Sequence, residues 1–344
     1  MEKTGKKLPW WAIVLIAAGG AGVLFGLLVA GINIYFRGAV GEYYKSSEKA
    51  FVIPNSDDGF VAQGISYDDR TGCFFVTGYQ NDKTASPISI VNRQNGKTIK
   101  RVSMKLDNGS PFLGHSGGIS VCGNYVYVAG GMDKCLYVFS YSDISDVENG
   151  DSVALIGKFD LTSENDGINA AFTTIYDGKL LVGEFYREKN YKTDESHHIE
   201  VCGGTNRAIA VAFEIDPEAE FGLKNTVAEA FSLPDQVQGM CFDGDNVYAS
   251  SSYGMAFSHI YNFDRTRATS RQMNILGRNV TTYLLDDDSL VSDRKIAPMS
   301  EEIEIVDGQM YVMCESASDK YIFGKFTGGR WCYATDLDFF KKAA

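Results

Sequence analysis

The sequence of 344 residues predicts an all-β protein built from repeated four-stranded units and preceded by one apolar helix. Three observations support this prediction. An uncharged run covers residues 10–36, five related segments recur in the rest of the chain, and almost nothing there has the period of a long amphipathic helix.

The composition is that of a folded, acidic protein. Apolar residues make up 44% of the chain, which is ample for a core, and the 36 glycines have no period of three, which excludes a collagen-like chain. The 32 Lys and Arg residues against 44 Asp and Glu residues give a net charge of −12. Because no basic stripe is present, binding to nucleic acid is not expected.

The uncharged run, residues 10–36, predicts a membrane anchor. At ~1.5 Å per residue it exceeds the ~30 Å hydrocarbon core of a bilayer, and Trp10, Trp11 and Tyr35 stand at its ends, where aromatic rings meet the headgroups. A cleaved signal peptide is the alternative, although its apolar region usually has only about 7–15 residues. We therefore predict an uncleaved, single-pass anchor.

Two glycines inside the run form a GxxxG motif, Gly22 and Gly26, which lets two membrane helices approach closely. Glycine is also common in membrane helices for other reasons. The motif predicts at most a weak dimer.

Basic residues on the two sides of the run suggest its orientation. Lys3, Lys6 and Lys7 precede it, whereas Arg37 and Lys45 follow it. The excess on the N-terminal side is modest and favours a cytoplasmic N-terminus.

The predicted organisation has four parts. Residues 1–9 are the cytoplasmic N-terminus, 10–36 the anchor, 37–49 a tether, and 50–344 an extracytoplasmic domain at the cell envelope. Without residues 1–37, which hold four basic and one acidic side chain, the remainder carries 28 positive and 43 negative side chains, a net charge of −15. Anionic headgroups repel such a domain, so we expect it to stand off the membrane.

Five segments share one motif, in which two polar or small residues and an apolar residue begin a strand that leads through a tight turn into an aromatic-rich strand. The motif positions are Gln63-Gly64-Ile65, Gly117-Gly118-Ile119, Ala170-Ala171-Phe172, Gln238-Gly239-Met240 and Glu301-Glu302-Ile303. Turn signals such as Asp177-Gly178 and Asp307-Gly308 separate the two strands and are typical of β-hairpins.

The spacing of these motifs predicts the architecture. Their third positions are residues 65, 119, 172, 240 and 303, so the steps are 54, 53, 68 and 63 residues. Each step accommodates about four short strands, which predicts a β-propeller. We expect about five blades, or six if the stretch 172–303 hides another. Because only 41 residues follow Ile303, a strand within residues 50–64 is expected to complete the last blade.

Equivalent motif positions of a propeller surround its central channel. The predicted ring contains Gln63, His115 or Ser116, Asn169, Gln238, and Glu301 or Glu302. The partner strands end in a second set, expected nearer the opposite rim: Tyr79, Asp133, Glu184, Tyr253 and Glu315. Such groups can hold a sugar, a peptide end or a cation such as Ca²⁺. Alternatively, they bond only to neighbouring strands and buried water.

The other reactive residue types give weaker signals. His115 lies inside a repeat motif and is the candidate general base, although a lone His near a strand start is more often structural. His197 and His198 lie in a polar insertion, residues 187–206, with Asp194, Glu195 and Glu200 as metal-ligand candidates; a solvated loop is the simpler interpretation.

The seven cysteines form no CxxC pair, so neither a zinc knuckle nor a redox pair is predicted. Cys122 and Cys135 could face each other across a hairpin, but the sequence leaves their pairing open.

Four hairpins resemble the bacterial YVTN/SMP-30-like β-propeller superfamily: QGISYDDRTGCFFVTGY, GGISVCGNYVYVAGG, QGMCFDGDNVYASSSYG and PMSEEIEIVDGQMYVMCESASDKY. The resemblance covers roughly residues 50–335. In its metal-dependent lactonases a channel Glu within an E-G-P segment, Asn residues and an Asp hold a divalent cation. Gln63 stands at the Glu position here without a following Pro, Gln238 also replaces an acid, and Glu301 or Glu302 keeps it.

These observations favour a binding module over an enzyme. The anchor, the acidic domain and the lack of a recognisable catalytic set indicate a propeller that binds an envelope ligand or a protein partner. The alternative is an SMP-30-like hydrolase or lyase that uses His115 with Glu301, Glu302 or Glu184, with or without Ca²⁺. No cofactor is otherwise predicted.

Overall fold

The computed structural model describes residues 8–321 and 324–342. It begins with a long helix, α1 (Trp10–Ala39), which contains the predicted anchor and continues three residues beyond it. None of the α1 residues is buried, and this helix is long and apolar enough to cross a membrane. Positions 22 and 26 are open, so a helix dimer stays a prediction.

Two short helices and 12 strands make up the first part of the propeller. They are, in chain order, α2 (Gly41–Lys45), β1 (Ser47–Val52), β2 (Phe60–Asp68), β3 (Cys73–Gln80), β4 (Pro87–Asn92), β5 (Thr98–Lys105), β6 (Ile119–Cys122), β7 (Tyr125–Ala129), β8 (Cys135–Ser140), α3 (Tyr141–Asp146), β9 (Ser152–Ala154), β10 (Gly157–Asp160), β11 (Thr162–Ser163) and β12 (Asp166–Gly167).

The second part holds the remaining strands and a C-terminal helix. They are β13 (Ala170–Tyr176), β14 (Lys179–Glu184), β15 (Ile199–Val201), β16 (Gly204–Asn206), β17 (Ala208–Ile215), β18 (Leu223–Leu233), β19 (Val237–Asp243), β20 (Asn246–Ser251), β21 (Ser258–Asp264), β22 (Ser270–Ile275), β23 (Arg278–Leu284), β24 (Leu290–Ile296), β25 (Ser300–Val306), β26 (Gln309–Cys314), β27 (Trp331–Asp336) and α4 (Leu337–Lys341).

The strands form five blades, which confirms the five-bladed propeller. From the axis outward the sheets are β2-β3-β4-β5-β9, β6-β7-β8-β10, β13-β14-β17-β18-β23-β22, β19-β20-β21-β24 and β25-β26-β27-β1. The third motif residues, Ile65, Ile119, Phe172, Met240 and Ile303, all lie buried in the innermost strands.

The long stretch 172–303 holds no sixth blade. Its extra length is partly a hairpin, β22–β23, inserted between the third and fourth strands of blade 4. This hairpin joins the outer edge of blade 3, where β23 runs parallel to β18. A strand edge with unpaired backbone groups is thereby covered.

The N-terminal strand closes the ring, as the spacing predicted. Strand β1 pairs antiparallel with β27, from Ser47 opposite Thr335 to Val52 opposite Trp331. This pairing joins strands from the two ends of the chain within one sheet. Loss of β1 from blade 5 would therefore expose the edge of β27.

Residues 37–49, predicted as a tether, are folded. They comprise the end of α1, helix α2 and the start of β1, and Val40 and Tyr43 are buried among residues of blades 4 and 5. The propeller therefore follows the apolar helix without a flexible spacer.

The hairpin turns have the backbone that their residues predicted. Asp177 and Gly178 both have positive φ, 44° and 71°, and Asp307 and Gly308 repeat this pattern at 51° and 75°. Two successive positive φ angles define the turn whose twist matches that of the strands it joins. All seven cysteines are free, so Cys122 and Cys135 do not form the disulfide that the sequence left open.

Candidate functional site

A cavity of about 510 Å³ opens at the axis, on the face where the innermost strands begin. Its wall contains the first motif residue of every blade: Gln63, Gly117, Ala170, Gln238 and Glu301. His115 and Asn169, predicted for the same ring, also line it. The repeat thus brings five distant segments of the chain together, as the motif alignment predicted.

The second set lies on this same face rather than at the opposite rim. Tyr79, Tyr253 and Glu315 all line the cavity. The expectation was wrong because the second strand of a hairpin runs antiparallel to the first, so its end lies beside the start of the first strand.

The middle motif positions lie at the axis. Four of them are small, Gly64, Gly118, Ala171 and Gly239, and the fifth is Glu302. Oε2 of Glu302 accepts the backbone N–H groups of Ile65 at 2.7 Å and Ile119 at 3.1 Å, and its Oε1 accepts that of Thr173 at 2.8 Å. One fully buried side chain therefore connects four blades.

The small residues make room for this carboxylate. A Cβ added at Gly118 would lie 2.5 Å from Oε1 of Glu302, and one added at Gly239 would lie 2.6 Å from its Cα. Because such contacts are too short for carbon, glycine is required at these two axial positions. Glu302 is absent from the cavity wall, so the structure gives this predicted ligand residue a bonding role between blades.

Two carboxyl groups remain at the cavity wall. Oε2 of Glu315 accepts the side-chain N–H of Gln63 at 3.1 Å and Oε1 accepts the hydroxyl of Tyr321 at 2.9 Å, while Oε1 of Glu301 accepts the side-chain N–H of Gln238 at 3.4 Å. Only 2% of Glu301 is exposed.

Burial raises the pKa of both carboxyl groups. For Glu301 the neighbouring carboxylates of Glu315 and Glu302 raise the pKa further. For Glu315 the hydrogen bond from Tyr321 and the charge of Lys320 oppose the rise. Perturbed carboxyl pairs of this kind are typical of functional sites.

Aromatic rings and one lysine form another part of the wall. The rings of Tyr79 and His115 lie 4.5 Å apart, and Nζ of Lys320 contacts the Tyr79 hydroxyl and lies 5.0 Å from the centre of the Tyr321 ring. The His115 side chain has accessible surface inside the cavity, where protein atoms surround it and displace bulk water. Its pKa falls to about 4 because of this desolvation and the charge of Lys320.

Several polar atoms at the cavity have no hydrogen-bond partner among the described residues. They are Oδ1 of Asn169 and Oγ of Ser252, both in residues of the wall, and Oγ of Ser116, the neighbour of His115. Buried polar atoms normally have partners, so the two atoms in wall residues, Oδ1 of Asn169 and Oγ of Ser252, are the candidates for a bond to a ligand or to ordered water in the cavity.

Glu184 and Asp133 are not brought to the cavity. Oε2 of Glu184 lies 2.9 Å from Nδ1 of His197 and also accepts the backbone N–H of Ile209, whereas Asp133 accepts the hydroxyl of Tyr137. Both side chains stabilise their own blades.

The polar insertion is anchored inward through His197, contrary to the interpretation as a solvated loop. This side chain is fully buried, and its Nε2 lies 2.8 Å from Oδ1 of Asp166. Hydrogen bonds and charges of Asp166 and Glu184 outweigh burial and raise its pKa to about 10. Glu195 and Glu200 point to solvent, and no cluster of three or more His, Cys, Asp or Glu side chains suited to a metal occurs among the described residues.

Sequence reasoning missed several wall residues. Lys320 and Tyr321, Met132, and Phe185 with Tyr191 and Lys192 all follow the second strand of a blade. The loops after Tyr79 and Tyr253 occupy the same place in their blades, so the repeat itself was the signal that could have found them.

No protein-family model matches the chain, and no curated protein matches it. Solved structures with similar folds include the PQQ-bound aldose sugar dehydrogenase of Streptomyces coelicolor, with 11% identity, 83% of this chain and 95% of that chain covered, and a TM-score of 0.43. Glutaminyl cyclase of Myxococcus xanthus has 10% identity, with 84% of this chain and 94% of that chain covered, and a TM-score of 0.42. A luciferin-regenerating enzyme has 13% identity, with 84% of this chain and 94% of that chain covered, and a TM-score of 0.42. This degree of similarity carries no information about the activity of the chain.

Proposed function

We propose that this chain is a single-pass membrane protein whose propeller binds a small ligand, rich in hydrogen-bond donors, in the axial cavity. The observation that carries the proposal is the pair of carboxyl groups in the wall together with an unpartnered amide oxygen. Glu301 and Glu315 supply carboxyl oxygens, and Oδ1 of Asn169 has no partner among the described residues.

The wall also favours a ring-shaped or extended ligand with apolar faces. Tyr79, His115, Tyr253 and Tyr321 surround the polar groups, and binding pockets usually combine apolar walls with a few polar groups that fix orientation. A sugar has both hydroxyl donors and C–H faces, so a carbohydrate of the cell envelope fits this wall best.

The proposed location follows from the apolar helix and its flanking charges. With α1 as an uncleaved anchor and the lysines of residues 1–9 in the cytoplasm, the propeller lies on the extracytoplasmic side of the membrane. A cleaved signal sequence is the alternative, and the length of the mature N-terminus distinguishes the two.

The test is a thermal-shift and native mass-spectrometry screen of the full chain in detergent against neutral sugars. A bound sugar is expected to raise the Tm, and Glu315→Gln or Asn169→Ala is expected to weaken binding roughly tenfold each, because a lost bond to a ligand costs about 1–1.5 kcal/mol. Glu218→Gln, an exposed position on a blade 3 turn, is the control. If no sugar changes the Tm or the native mass of the full chain or of its three variants, the proposal is contradicted.

Acid–base catalysis in the same cavity is the second candidate. The specific observation is that burial and the neighbouring Glu315 and Glu302 carboxylates raise the pKa of Glu301, in the same cavity wall as His115, whose pKa falls to about 4. A protonated carboxyl can serve as general acid for a lactone or ester. If the chain turns over such substrates and Glu301→Gln abolishes the turnover, the hydrolase alternative and its relation to SMP-30-like enzymes are favoured.

The cavity wall does not have the ligand set expected for Ca²⁺. The amide nitrogens of Gln63 and Gln238 point at the carboxyl oxygens of Glu315 and Glu301, so donors stand where a cation needs further oxygen atoms. No step is therefore assigned to a metal. A Tm that rises with CaCl₂ and not with MgCl₂ would restore the prediction of a calcium site.

A further inference from the structure

The long helix meets the propeller on the face that carries the cavity. Near the end of α1, the rings of Tyr35 and Phe36 lie 5.8 Å and 5.5 Å from the ring of Phe257. Phe257 belongs to the loop 252–257, whose first three residues line the cavity. Helix α1 also contacts the turn Gly324–Phe326, which follows the wall residue Tyr321.

Exposed apolar side chains concentrate on this same face. Outside α1 and the two residues before it, eight large apolar side chains are exposed in the part of the chain that the structure describes. Five of them line the cavity or lie within two residues of a wall residue: Leu113, Met132, Tyr191, Tyr253 and Met255. We call these five residues the rim.

The other three lie at the far end of the blades. Ile99 and Val291 lie at the start of the fourth strands β5 and β24, and Ile156 directly precedes the outer strand β10. Because innermost strands start at the cavity face and neighbours alternate in direction, fourth strands start at the opposite face. The apolar surface is thus asymmetric along the axis.

We propose that the rim rests on the bilayer that holds α1, so that the cavity opens into the headgroup layer. This inference rests on the proposed anchoring by α1. In this arrangement lipid covers the rim, because the rim is continuous with the place where a membrane helix leaves the bilayer. Tyr35 and Phe36 then lie at the level where aromatic side chains meet the headgroups.

The connection leaves the propeller little freedom to move away. Val40 and Tyr43 are buried directly after α1, and β1 begins at Ser47. The charge of −15 on the remainder of the chain opposes contact with anionic lipids, but the rim itself is uncharged and Lys192 and Lys320 lie in the cavity wall beside it. The ligand of the cavity would then reach it from the headgroup layer, as the sugar of a glycolipid would.

The experiment places an environment-sensitive fluorophore at single cysteines in the full chain, reconstituted in vesicles of neutral phosphatidylcholine. The parent carries Cys202→Ser and Cys122→Ser, since these two cysteines are not buried. Leu113→Cys and Met255→Cys probe the rim outside the cavity wall. Their controls have matched exposure: Ile99→Cys, 54% against 59% for Leu113, and Val291→Cys, 36% against 37% for Met255.

The rim probes are expected to emit at shorter wavelength and to lose fluorescence to a nitroxide-labelled lipid, while both controls stay unquenched. Equal behaviour of rim and control probes in chains that float with the vesicles overturns the inference and leaves the anchor intact. A shift at the rim without quenching by lipid also overturns it, because a protein then covers the rim. Chains that do not float overturn the anchor and the inference together.

Discussion

The Glu302 carboxylate accepts three backbone N–H groups from three other blades at distances of 2.7–3.1 Å. Burial raises its pKa, and the three donors oppose that rise. At the residue scale, this side chain holds the axis together, whereas its neighbour Glu301 faces the cavity. Adjacent residues of one strand point to opposite sides, so one glutamate is available to a ligand and the other is not.

Replacing Glu302 with Ala is expected to destabilise the fold by about 3–5 kcal/mol, because it leaves three buried N–H groups unpaired at a cost of about 1–3 kcal/mol each, part of which relaxation recovers. Urea unfolding of the two proteins measures the difference. Glu48→Ala, at an exposed position, should change stability by less than about 0.5 kcal/mol. A similar loss in both variants would contradict the role of Glu302.

His197 makes the stability depend on pH. Its pKa rises from an ordinary value of 6.5 to about 10 in the folded chain. A raised pKa means that the folded state binds the proton more tightly, so the stabilisation is complete below pH 6.5 and disappears as the pH rises towards 10.

The His197→Gln variant is therefore expected to lose about 3–5 kcal/mol at pH 6, as buried ion pairs do when one partner is removed, and less at pH 9. Urea unfolding midpoints across pH 6–9 measure this difference. His259→Gln is the control, because that ring is partly exposed and pairs with a single carboxylate, that of Asp293 at 2.6 Å, which is itself partly exposed. A deficit of His197→Gln that is the same at every pH would rule out the charged pair.

At the scale of elements, the innermost strands of blades 2 and 4 approach their neighbours more closely than a side chain at Gly118 or Gly239 would allow. A Cβ at Gly118 would also lie 2.6 Å from Cα of Phe172, in the neighbouring blade. Gly118→Ala is expected to cost about 1–3 kcal/mol through overpacking, or more if the backbone cannot shift.

Chemical denaturation of Gly118→Ala checks this, with Gly123→Asn as the control. Gly123 lies in a hairpin turn at a φ of 56°, which Asn tolerates, and no atom lies within 4 Å of an added Cβ. An alanine at position 118 that is as stable as the control would show that the strands can separate at the axis.

At the scale of the whole molecule, the fold depends on one strand from each end of the chain. Removal of residues 1–53 takes away β1 and the Phe51 side chain, whose ring lies 5.5 Å from that of Phe74 in blade 1. The edge of β27 is then exposed, and exposed edges pair with other chains.

The fragment 54–344 is therefore expected to aggregate, whereas 38–344, which keeps β1 and α2, should remain monomeric. Size-exclusion chromatography and limited proteolysis compare the two fragments. If both behave alike, the four remaining blades with an open fifth are stable alone, and closure by β1 is dispensable.

The sequence by itself determined the repeat, the hairpins and the apolar helix. Asp177-Gly178 and Asp307-Gly308 are local turn signals, and the positions equivalent to Gln63, Gln238 and Glu301 follow from the spacing of the motifs. Such features are readable because they depend on residues close in the chain or at equivalent places in a repeat.

Only the tertiary structure decided which glutamates are free for a ligand. Glu184 and Glu302 have the same residue type as Glu315, but their carboxylates bond to His197 and to the backbones of other blades. The structure also assigned β22–β23 to blade 3, which removed the sixth blade, and placed the end of α1 on the cavity face. These outcomes depend on contacts between residues tens to hundreds of positions apart, for which a single sequence has no local signal.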